Sequence, residues 1–187
     1  GKVRFTRAPL EEAAERLAAI LRTERADLLI SYDANGGYGH RDHVRVHEVG
    51  ARAAVIAGTP RVLEATVPRD TIARAIRAVA RVYRFPAEFD PSSFERAFTA
   101  RADITHRIDV RKHIAAKRSS MRAHASQATG GGAAAVGEGG QTGDRTLAAF
   151  LRIPRPLYDV AFGREWFRDP ALPSGGPIHT QIFEGDA

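Results

Sequence analysis

The residues best suited to chemistry are three histidines that follow a glycine-rich segment. Residues 36–43 read G-G-Y-G-H-R-D-H, and His47 lies four positions further on. His40, His43 and His47 have the spacing i, i+3 and i+7, so they share one face if this stretch is helical. Neutral imidazoles one turn apart can converge on one metal ion or on one substrate, and Asp42 is close enough in sequence to orient a ring nitrogen. The segment therefore predicts metal binding or acid–base chemistry.

Two simpler interpretations fit the same residues. The histidines and Asp42 could merely decorate the N-terminus of a helix, because an H-x-x-H spacing alone is a weak signal for a metal site. Alternatively, the glycine loop at 36–39 could bind a phosphate through its backbone N–H groups. The functional interpretation gains from the glycines around Tyr38, which would let the loop move and bring a phenol over the site.

The elements around this segment predict an α/β fold. Apolar residues at helical spacing, short apolar runs, and a glycine followed by a proline set the boundaries. The predicted helices cover residues 9–25 and 41–57 and a third one capped by Asp70, and the predicted strands cover 28–30 and 62–67. This order is that of a Rossmann-like, mostly parallel sheet with flanking helices. The glycine loop then lies at the carboxyl end of a strand, where open α/β sheets bind their ligands.

The second half of the chain is less regular. It predicts a packed loop at 85–98, a strand at 104–110, a basic amphipathic helix at 111–126 and a short helix at 145–151. Residues 128–143 are rich in glycine and alanine and predict a mobile insertion. The aromatic residues of the tail are expected in a core or an interface rather than in a ligand cage; they are Tyr158, Phe162, Trp166 and Phe167. We therefore divide the chain into an α/β domain at 1–126, a flexible insertion at 127–145, and the C-terminal helix and tail of the same domain at 146–187.

The composition excludes several kinds of site. The 187 residues include no cysteine, which excludes a disulfide scaffold, a thiolate nucleophile and a cysteine-type zinc site. Any transition metal must rest on the seven histidines and on carboxylates. No apolar run approaches the roughly 18–20 residues that span a bilayer, so we expect no membrane partner. No signal segment for export is present either, and a cytoplasmic location is expected.

The net charge of +6 comes almost entirely from arginine, since the chain has only three lysines. The arginines are scattered along the sequence, whereas a nucleic-acid interface presents a clustered stripe. The nearest approach to a cluster, at 101–122, is interrupted by acidic and apolar residues. The sequence therefore predicts no nucleic-acid partner, and it gives no indication of the oligomeric state.

The glycine–histidine stretch resembles the second signature of the LmbE-like, or PIG-L-like, zinc-dependent N-acetylglucosaminyl deacetylases. The resembling stretch reads G-G-Y-G-H-R-D-H-V-R-V-H, with Arg41 where actinobacterial members usually carry proline. Looser matches follow at 118–127, R-S-S-M-R-A-H-A-S-Q, and at 163–167, G-R-E-W-F. The resemblance thus extends over most of the chain.

The resemblance implies a role for four of these residues. His43 would be the zinc ligand of this signature, and His40 the catalytic histidine that, when protonated, stabilises the tetrahedral oxyanion or helps the amine to leave. Asp42 would hold His40 in position, and Tyr38 would be a mobile residue that polarises the carbonyl. The resemblance assigns nothing to His47, for which a position on the helix surface is expected.

One part of the family pattern is missing. The first signature of the family, H-P-D-D, supplies two zinc ligands and a general base, and it occurs nowhere in this sequence. A catalytic zinc normally takes three protein ligands and a water, whereas the resemblance supplies only His43. Asp33 and Asp42 lie too close to His43 in sequence to be convincing substitutes for the missing zinc ligands. We therefore expect either that the N-terminal third, with the first strand of the sheet, is missing or that the chain is a degenerate relative.

These observations lead to three hypotheses. The first is a metal-dependent hydrolase that deacetylates a small-molecule N-acyl amino-sugar, with a mycothiol-type substrate, and that is truncated and inactive in the form of this chain. The second is a non-catalytic relative that kept the fold and binds a sugar or a partner. The third is a phosphate-binding protein that uses the loop at 36–39. His124 fits a packed helix position as well as a position in a pocket.

Overall fold

The computed structural model describes residues 4–79, 81, 97–124, 151 and 154–183. The chain forms two compact units, the first comprising residues 1–107 and 166–187 and the second residues 108–165. The predicted insertion at 128–143, nearly all of the loop at 85–98 and most of the helix at 145–151 lie outside the described residues. The division of the chain at 126 and 145 also falls there and stays a prediction. Among the described residues, no helix combines the length and apolar character that crossing a membrane requires.

The elements alternate in the predicted order through the first half of the chain. In sequence they are α1 (Leu10–Thr23), β1 (Leu28–Tyr32), α2 (Arg41–Ala57), β2 (Arg61–Thr66), α3 (Arg69–Val79), β3 (His106–Asp109), α4 (Ile114–Ala123), α5 (Arg155–Phe162) and β4 (Arg164–Arg168). Short 3₁₀ turns lie at Phe5–Arg7, Arg101–Asp103 and Arg111–His113. The predicted boundaries of α1, β1, α2 and β2 are confirmed to within two residues.

Helices α1 and α2 pack together through small side chains. Ala14 and Ala18 of α1 and Ala53 of α2 are fully buried, and Leu21 completes the cluster. The distance between packed helices depends on the side chains at their contact, so alanines allow a close approach. Helix α2 ends at Gly58, whose φ of 70° is the left-handed conformation that glycine adopts most readily.

The four strands form one mixed sheet in the order β1-β2-β4-β3. Strands β1 and β2 are parallel, with Ile30 opposite Leu63, and α2 is the crossover that a parallel pair requires. Strand β4 runs antiparallel to β2, with Glu64 opposite Arg168. The α/β, Rossmann-like class is confirmed. The antiparallel strand β4 was not predicted, because its five residues, which follow Gly163 at the end of α5, pair with a strand about 100 residues earlier in the chain.

Two local expectations need correction. Asp70 does not cap α3, since it is the second residue of that helix and its carboxylate accepts the Arg101 backbone N–H at 2.7 Å. That hydrogen bond lowers the pKa of Asp70 below its ordinary value. Residues 36–39, predicted as loop, form one distorted helical turn. Gly36 N–H donates to the Asp33 carbonyl at 2.9 Å, and His40 N–H donates to the Gly36 carbonyl at 3.4 Å, which closes the turn.

The second unit is held by aromatic and ionic contacts between α4 and the segment around α5. Tyr158 is fully buried, stacks on Phe162 with ring centroids 4.6 Å apart, and lies under the guanidinium of Arg118. Lys117 pairs with Glu165 at 3.1 Å. The core position predicted for Tyr158 is confirmed, as is the one predicted for Phe167, which is buried in the first unit.

Candidate functional site

The site predicted from the sequence lies where β1 ends and α2 begins. Strand β1 ends at Tyr32, and α2 starts at Arg41. Between them lies the helical turn Gly36–Gly39, called the glycine turn below. Because β1 is parallel to β2, its carboxyl end is the edge at which open α/β sheets bind ligands. The segment therefore lies at the edge of the sheet that the sequence predicts, and its role as a binding site stays a prediction.

A buried carboxylate fixes the glycine turn to the sheet. Asp33 is fully buried, and its Oδ1 accepts the Gly37 backbone N–H at 2.8 Å. Its Oδ2 accepts the hydroxyl of Thr66, at the end of β2, and the hydroxyl of Thr99 at 3.2 Å. Three donors thus satisfy a group that would otherwise be expensive to bury. Sequence reasoning considered Asp33 only as a metal ligand and missed this role, for which an aspartate directly after an apolar strand was the available signal.

The glycines of the turn are required by its geometry. Gly36 and Gly37 have φ values of 63° and 65°, in the left-handed region. A Cβ on Gly36 would lie 2.8 Å from Cγ2 and from the backbone N of Val44. The Gly37 carbonyl accepts the Phe98 backbone N–H at 2.6 Å. The turn is therefore held from both sides, and its Gly36 and Gly37 N–H groups are already used by Asp33, which leaves fewer donors for a phosphate.

Four aromatic rings meet at this position. The His43 ring stacks on Tyr32 with centroids 4.0 Å apart and planes 8° from parallel. The Tyr38 ring meets His43 edge-on at 5.5 Å, and His40 lies 4.7 Å from His43. The structure therefore brings together Tyr38, His40 and His43, three of the four residues predicted to form the site.

The His43 ring carries a buried nitrogen without a partner. Among the described residues, no hydrogen bond of good geometry reaches its Nδ1, and the ring has only a weak backbone hydrogen bond with Gly36. Burial lowers the pKa of His43 below 6.5, and the charge of His40 lowers it further, against smaller opposing effects of the Gly36 backbone, Asp42 and Asp33. The ring is consequently neutral at neutral pH. An unsatisfied buried polar atom costs about 1–3 kcal/mol, and a bound ligand at this nitrogen would remove that cost.

His40 caps α2 and is oriented by a backbone group. Its Nδ1 accepts the Asp42 backbone N–H at 3.2 Å, so the proton of the neutral ring lies on Nε2. The contact from Asp42 to His40 is thus made by the main chain. A role for the Asp42 carboxylate in holding His40 stays a prediction, although the carboxylate does act on the pKa of His43.

The two histidines that the resemblance left unassigned have ordinary structural partners. His47 Nδ1 donates to the Tyr32 carbonyl at 3.1 Å and lies 3.5 Å from the buried carboxylate of Glu64. Glu64 also pairs with Arg168 at 2.9 Å, so His47 fastens α2 to the sheet rather than lying on the free helix surface that we expected. In the second unit, the exposed His124 donates from Nδ1 to the Ser120 carbonyl at 3.0 Å.

The zinc expected from the family resemblance is only partly accommodated. The unpartnered nitrogen of His43 suits a metal donor. However, the part of the chain that the structure describes contains no group of three or more potential ligands from histidine, cysteine, aspartate and glutamate. Since a catalytic zinc takes three protein ligands, the described residues do not themselves form a zinc site.

A second histidine is buried at the opposite end of β2, and sequence reasoning missed it. The ring of His106 is fully buried, and its Nε2 accepts a hydrogen bond from Arg61 Nη2 at 2.7 Å. Its Nδ1 lies 2.7 Å from the Thr105 hydroxyl. Arg61 in turn pairs with Asp169 at 3.0 Å. Burial first, and then the charges of Arg61 and His179, lower the pKa of His106 below 6.5. Both ring nitrogens are satisfied, so this is a structural centre.

The curated relatives described below all carry the same name. No protein-family model matches the sequence. A 1D-myo-inositol 2-acetamido-2-deoxy-alpha-D-glucopyranoside deacetylase from Nocardioides sp. is 32% identical over 180 residues, which cover 88% of this chain and 54% of the relative. Proteins of the same name from Thermomonospora curvata and Streptomyces avermitilis are each 31% identical, over 97% and 98% of this chain and over 61% and 62% of those relatives. The chain therefore spans between about half and three-fifths of the length of these curated relatives.

Proposed function

We propose, since this chain belongs to the LmbE-like, or PIG-L-like, family of deacetylases, that it is part of an enzyme which hydrolyses the acetamide of a small amino-sugar. The relatives are named for a 2-acetamido-2-deoxy-glucopyranoside linked to inositol, and we propose a substrate of this type. The observation that carries the proposal is the neutral ring of His43, at the carboxyl end of β1 beside His40 and Tyr38, whose buried Nδ1 has no hydrogen bond of good geometry from the described residues.

The proposed chemistry assigns proton handling to His40. Hydrolysis of an amide passes through a tetrahedral oxyanion, and groups that donate hydrogen bonds to that oxygen lower the barrier. With Nδ1 occupied by the Asp42 backbone N–H, the Nε2–H of His40 is the donor directed away from the helix. We propose that in the neutral ring this N–H donates a hydrogen bond to the oxyanion. Proton transfer to the departing amine requires the ring to take up a proton on Nδ1 first, which breaks the hydrogen bond from the Asp42 backbone; Nε2–H then passes to the amine and leaves a neutral imidazole. A positioned acid of this kind contributes about 10²–10⁴-fold.

Tyr38 is proposed to polarise the acetamide carbonyl. Its side chain is 44% exposed, and its ring lies 6.0 Å from that of His40. Gly37 and Gly39 on either side both have positive φ, a conformation that glycine adopts at little cost. We propose that rotation about the side-chain bonds of Tyr38 brings its phenol toward a bound sugar, while Asp33 holds the turn in place.

His43 is proposed to contribute one nitrogen to a zinc ion in the functional enzyme. The described residues supply no set of further donors to complete the coordination of that ion. For the chain alone we expect weak zinc binding and no deacetylation. Calorimetric titration with Zn²⁺ checks this directly, and a tight one-to-one site would show that further ligands exist within these 187 residues.

The second candidate is a non-catalytic relative that binds a sugar or a partner. The absence of H-P-D-D from this sequence is the observation that favours it. The DNA in frame before the Gly1 codon separates the two candidates, because an H-P-D-D codon run there supports the enzyme. Cytoplasmic location and the lack of nucleic-acid and membrane partners remain predictions from the sequence.

The direct test uses the product of the full open reading frame that contains this sequence. We expect release of a free amine from N-acetylglucosaminyl-inositol, with a loss of about 10²-fold or more in kcat for His40→Ala. His43→Ala should abolish activity. His113→Ala is the matched control and should retain it, since that histidine is exposed and lies outside the stretches that resemble the family. Unchanged activity in His43→Ala would refute the proposed role of the site.

A further inference from the structure

We infer that the first unit carries an oxyanion-binding cleft, distinct from the histidine site, on another face of α2. The cleft has a volume of about 490 Å³ and lies between the 3₁₀ turn Phe5–Arg7 and the first turns of α2. Its lining residues are Thr6, Arg7, Arg41, Val44, Arg45 and Glu48. The four from α2 have the spacing i, i+3, i+4 and i+7 and therefore share one face. The volume falls within the range of about 300–1,000 Å³ for small-molecule sites.

Arg45 forms the base of this cleft. Its side chain is only 17% exposed, and its Nη1 pairs with Glu48 at 2.6 Å. Its Nη2 donates to the Ala8 carbonyl, which ties the turn to the helix. Its Nε is buried and has no hydrogen-bond partner among the described residues. These contacts hold the Arg45 guanidinium in a fixed place in the cleft, and its buried Nε–H is a sensitive reporter of any anion that changes the hydrogen bonds around it.

Two more guanidinium groups line the cleft without a competing carboxylate. Arg7 and Arg41 are exposed, and within the part of the chain that the structure describes neither side chain has an ion-pair partner. Three arginines against the single carboxylate of Glu48 leave the cleft with a net charge of about +2 when all groups are ionised. The cleft therefore favours an anion.

The geometry of the donors favours a phosphate over a carboxylate. A guanidinium presents a planar fork of N–H groups that pairs with two oxygens at once. A carboxylate has two oxygens and is saturated by one or two such forks. A phosphate has three or four and can accept from three arginines together. Thr6 also lines the cleft, and its side chain carries a neutral hydroxyl. The ligand class is thus a small molecule with a phosphate group, or free phosphate.

This inference does not depend on the proposed deacetylase function, because it concerns binding by the chain as it stands. The test is a titration with inorganic phosphate at a constant ionic strength of about 0.1 M. Binding is monitored by NMR through the arginine Nε–H signals. We expect saturable binding, with the Arg45 Nε–H signal moving most. Acetate at the same concentrations should bind at least several-fold more weakly, and glucose 6-phosphate should bind at least as tightly as phosphate.

Variants separate the cleft from general attraction to a basic protein. The double variant that combines Arg7→Gln and Arg41→Gln should bind phosphate at least tenfold more weakly than the unaltered chain. Arg16→Gln with Arg52→Gln removes the same charge from exposed pairs outside the cleft and should change affinity less than twofold. Glu48→Gln should tighten binding, since it removes the only carboxylate of the cleft.

Three results would overturn the inference. They are equal weakening in the two double variants, equal affinity for acetate and phosphate, and no movement of the Arg45 signal at saturation. Circular dichroism should show unchanged folding in the Arg7→Gln, Arg41→Gln double variant, because both side chains are exposed and none of the described residues pairs with them. If Glu48→Gln binds phosphate more weakly than the unaltered chain, the charge argument is wrong.

Discussion

His43 and His106 lie at opposite ends of β2 and differ in one decisive respect. Burial lowers the pKa of both rings, and a neighbouring positive charge lowers each further. Both nitrogens of His106 are nevertheless satisfied, one by Arg61 and one by Thr105. His43 keeps a buried Nδ1 with no partner among the described residues.

The difference shows that a perturbed pKa by itself does not identify a functional histidine. Perturbed titration is frequent at active sites, but structural networks produce it as well. What separates the two rings is whether the surrounding chain completes their hydrogen bonds. A completed network adds stability and leaves nothing to bind, whereas an uncompleted one costs stability and leaves a donor or acceptor for a ligand.

The largest expected effect on stability follows from removing the ring of His106, both of whose nitrogens are hydrogen-bonded. His106→Ala leaves the Arg61 guanidinium without its acceptor and opens a cavity in the first unit, and we expect a loss of about 3 kcal/mol in the free energy of unfolding. His43→Ala should cost about 1 kcal/mol or less, because it removes one ring stack and also an unsatisfied atom. Urea denaturation measures both, with the exposed His113→Ala as control, expected within about 0.5 kcal/mol of the unaltered chain. Equal losses for His43 and His106 would break the contrast.

A somewhat smaller effect is expected at the base of the glycine turn. Asp33→Ala leaves three donors without an acceptor, and we expect a loss of about 2 kcal/mol. Asp33→Asn should cost about half as much, because its carbonyl can still accept from Gly37 and its amide can donate to a hydroxyl. Hydrogen exchange of the Gly37 amide provides a local measurement, and exchange should be fastest in Asp33→Ala. Unchanged protection in both variants would mean that the carboxylate does not hold the turn.

The turn itself offers a matched pair of glycine substitutions. Gly36→Ala adds both backbone strain and contact with Val44, whereas Gly39→Ala adds strain alone, since nothing lies within 4 Å of its Cβ position. We expect about 2 kcal/mol for Gly36→Ala and about 1 kcal/mol for Gly39→Ala. Thermal unfolding ranks the two, and a reversed order would contradict the described packing of the turn.

The smallest expected effect is a dependence of stability on pH. The folded pKa values of His43 and His106 lie below 6.5, so the unfolded chain binds more protons as the pH falls through 6.5. Their stabilising contribution is therefore present above about pH 6.5 and is lost progressively below it. Asp109 affects stability only at lower pH, because Arg111 lowers its pKa to about 2. Its stabilising contribution is present above the ordinary aspartate pKa of 3.8 and is lost as the pH falls from there toward 2.

The histidine window can be isolated by substitution. His106→Gln should flatten the decline in stability between about pH 6.5 and pH 5, because the buried ring that must stay neutral is gone. The unaltered chain and the variant are compared by urea denaturation across that range. An unchanged slope in the variant would show that His106 is not titrating there.

The sequence allowed the helices, the parallel pair and the position of the site to be predicted, because periodicity and glycine signals are local. Leu17 and Leu21 recur at helical spacing, and Gly58 with Pro60 ends α2. The role of Asp33 in holding the glycine turn could not be predicted from the sequence, because its partners Thr66 and Thr99 are 33 and 66 residues away.

The structural histidine escaped sequence reasoning for the same reason. His106 is flanked by Thr105 and Arg107, which give no sign that Arg61 approaches from another strand. Strand β4 pairs with β2 across about 100 residues, so neither its direction nor its register leaves a local signal. The local elements were therefore predictable from the residues, whereas the completion of hydrogen bonds depended on tertiary contacts.

The most direct test of the contrast between the two histidines is NMR of their ring nitrogens during titration with Zn²⁺. We expect the His43 ring signals to move progressively, without saturation at one equivalent, while those of His106 stay in place. A tight one-to-one response would contradict the expectation that the described residues do not by themselves form a zinc site. Movement of His106 with His43 unaffected would contradict the assignment of the available nitrogen.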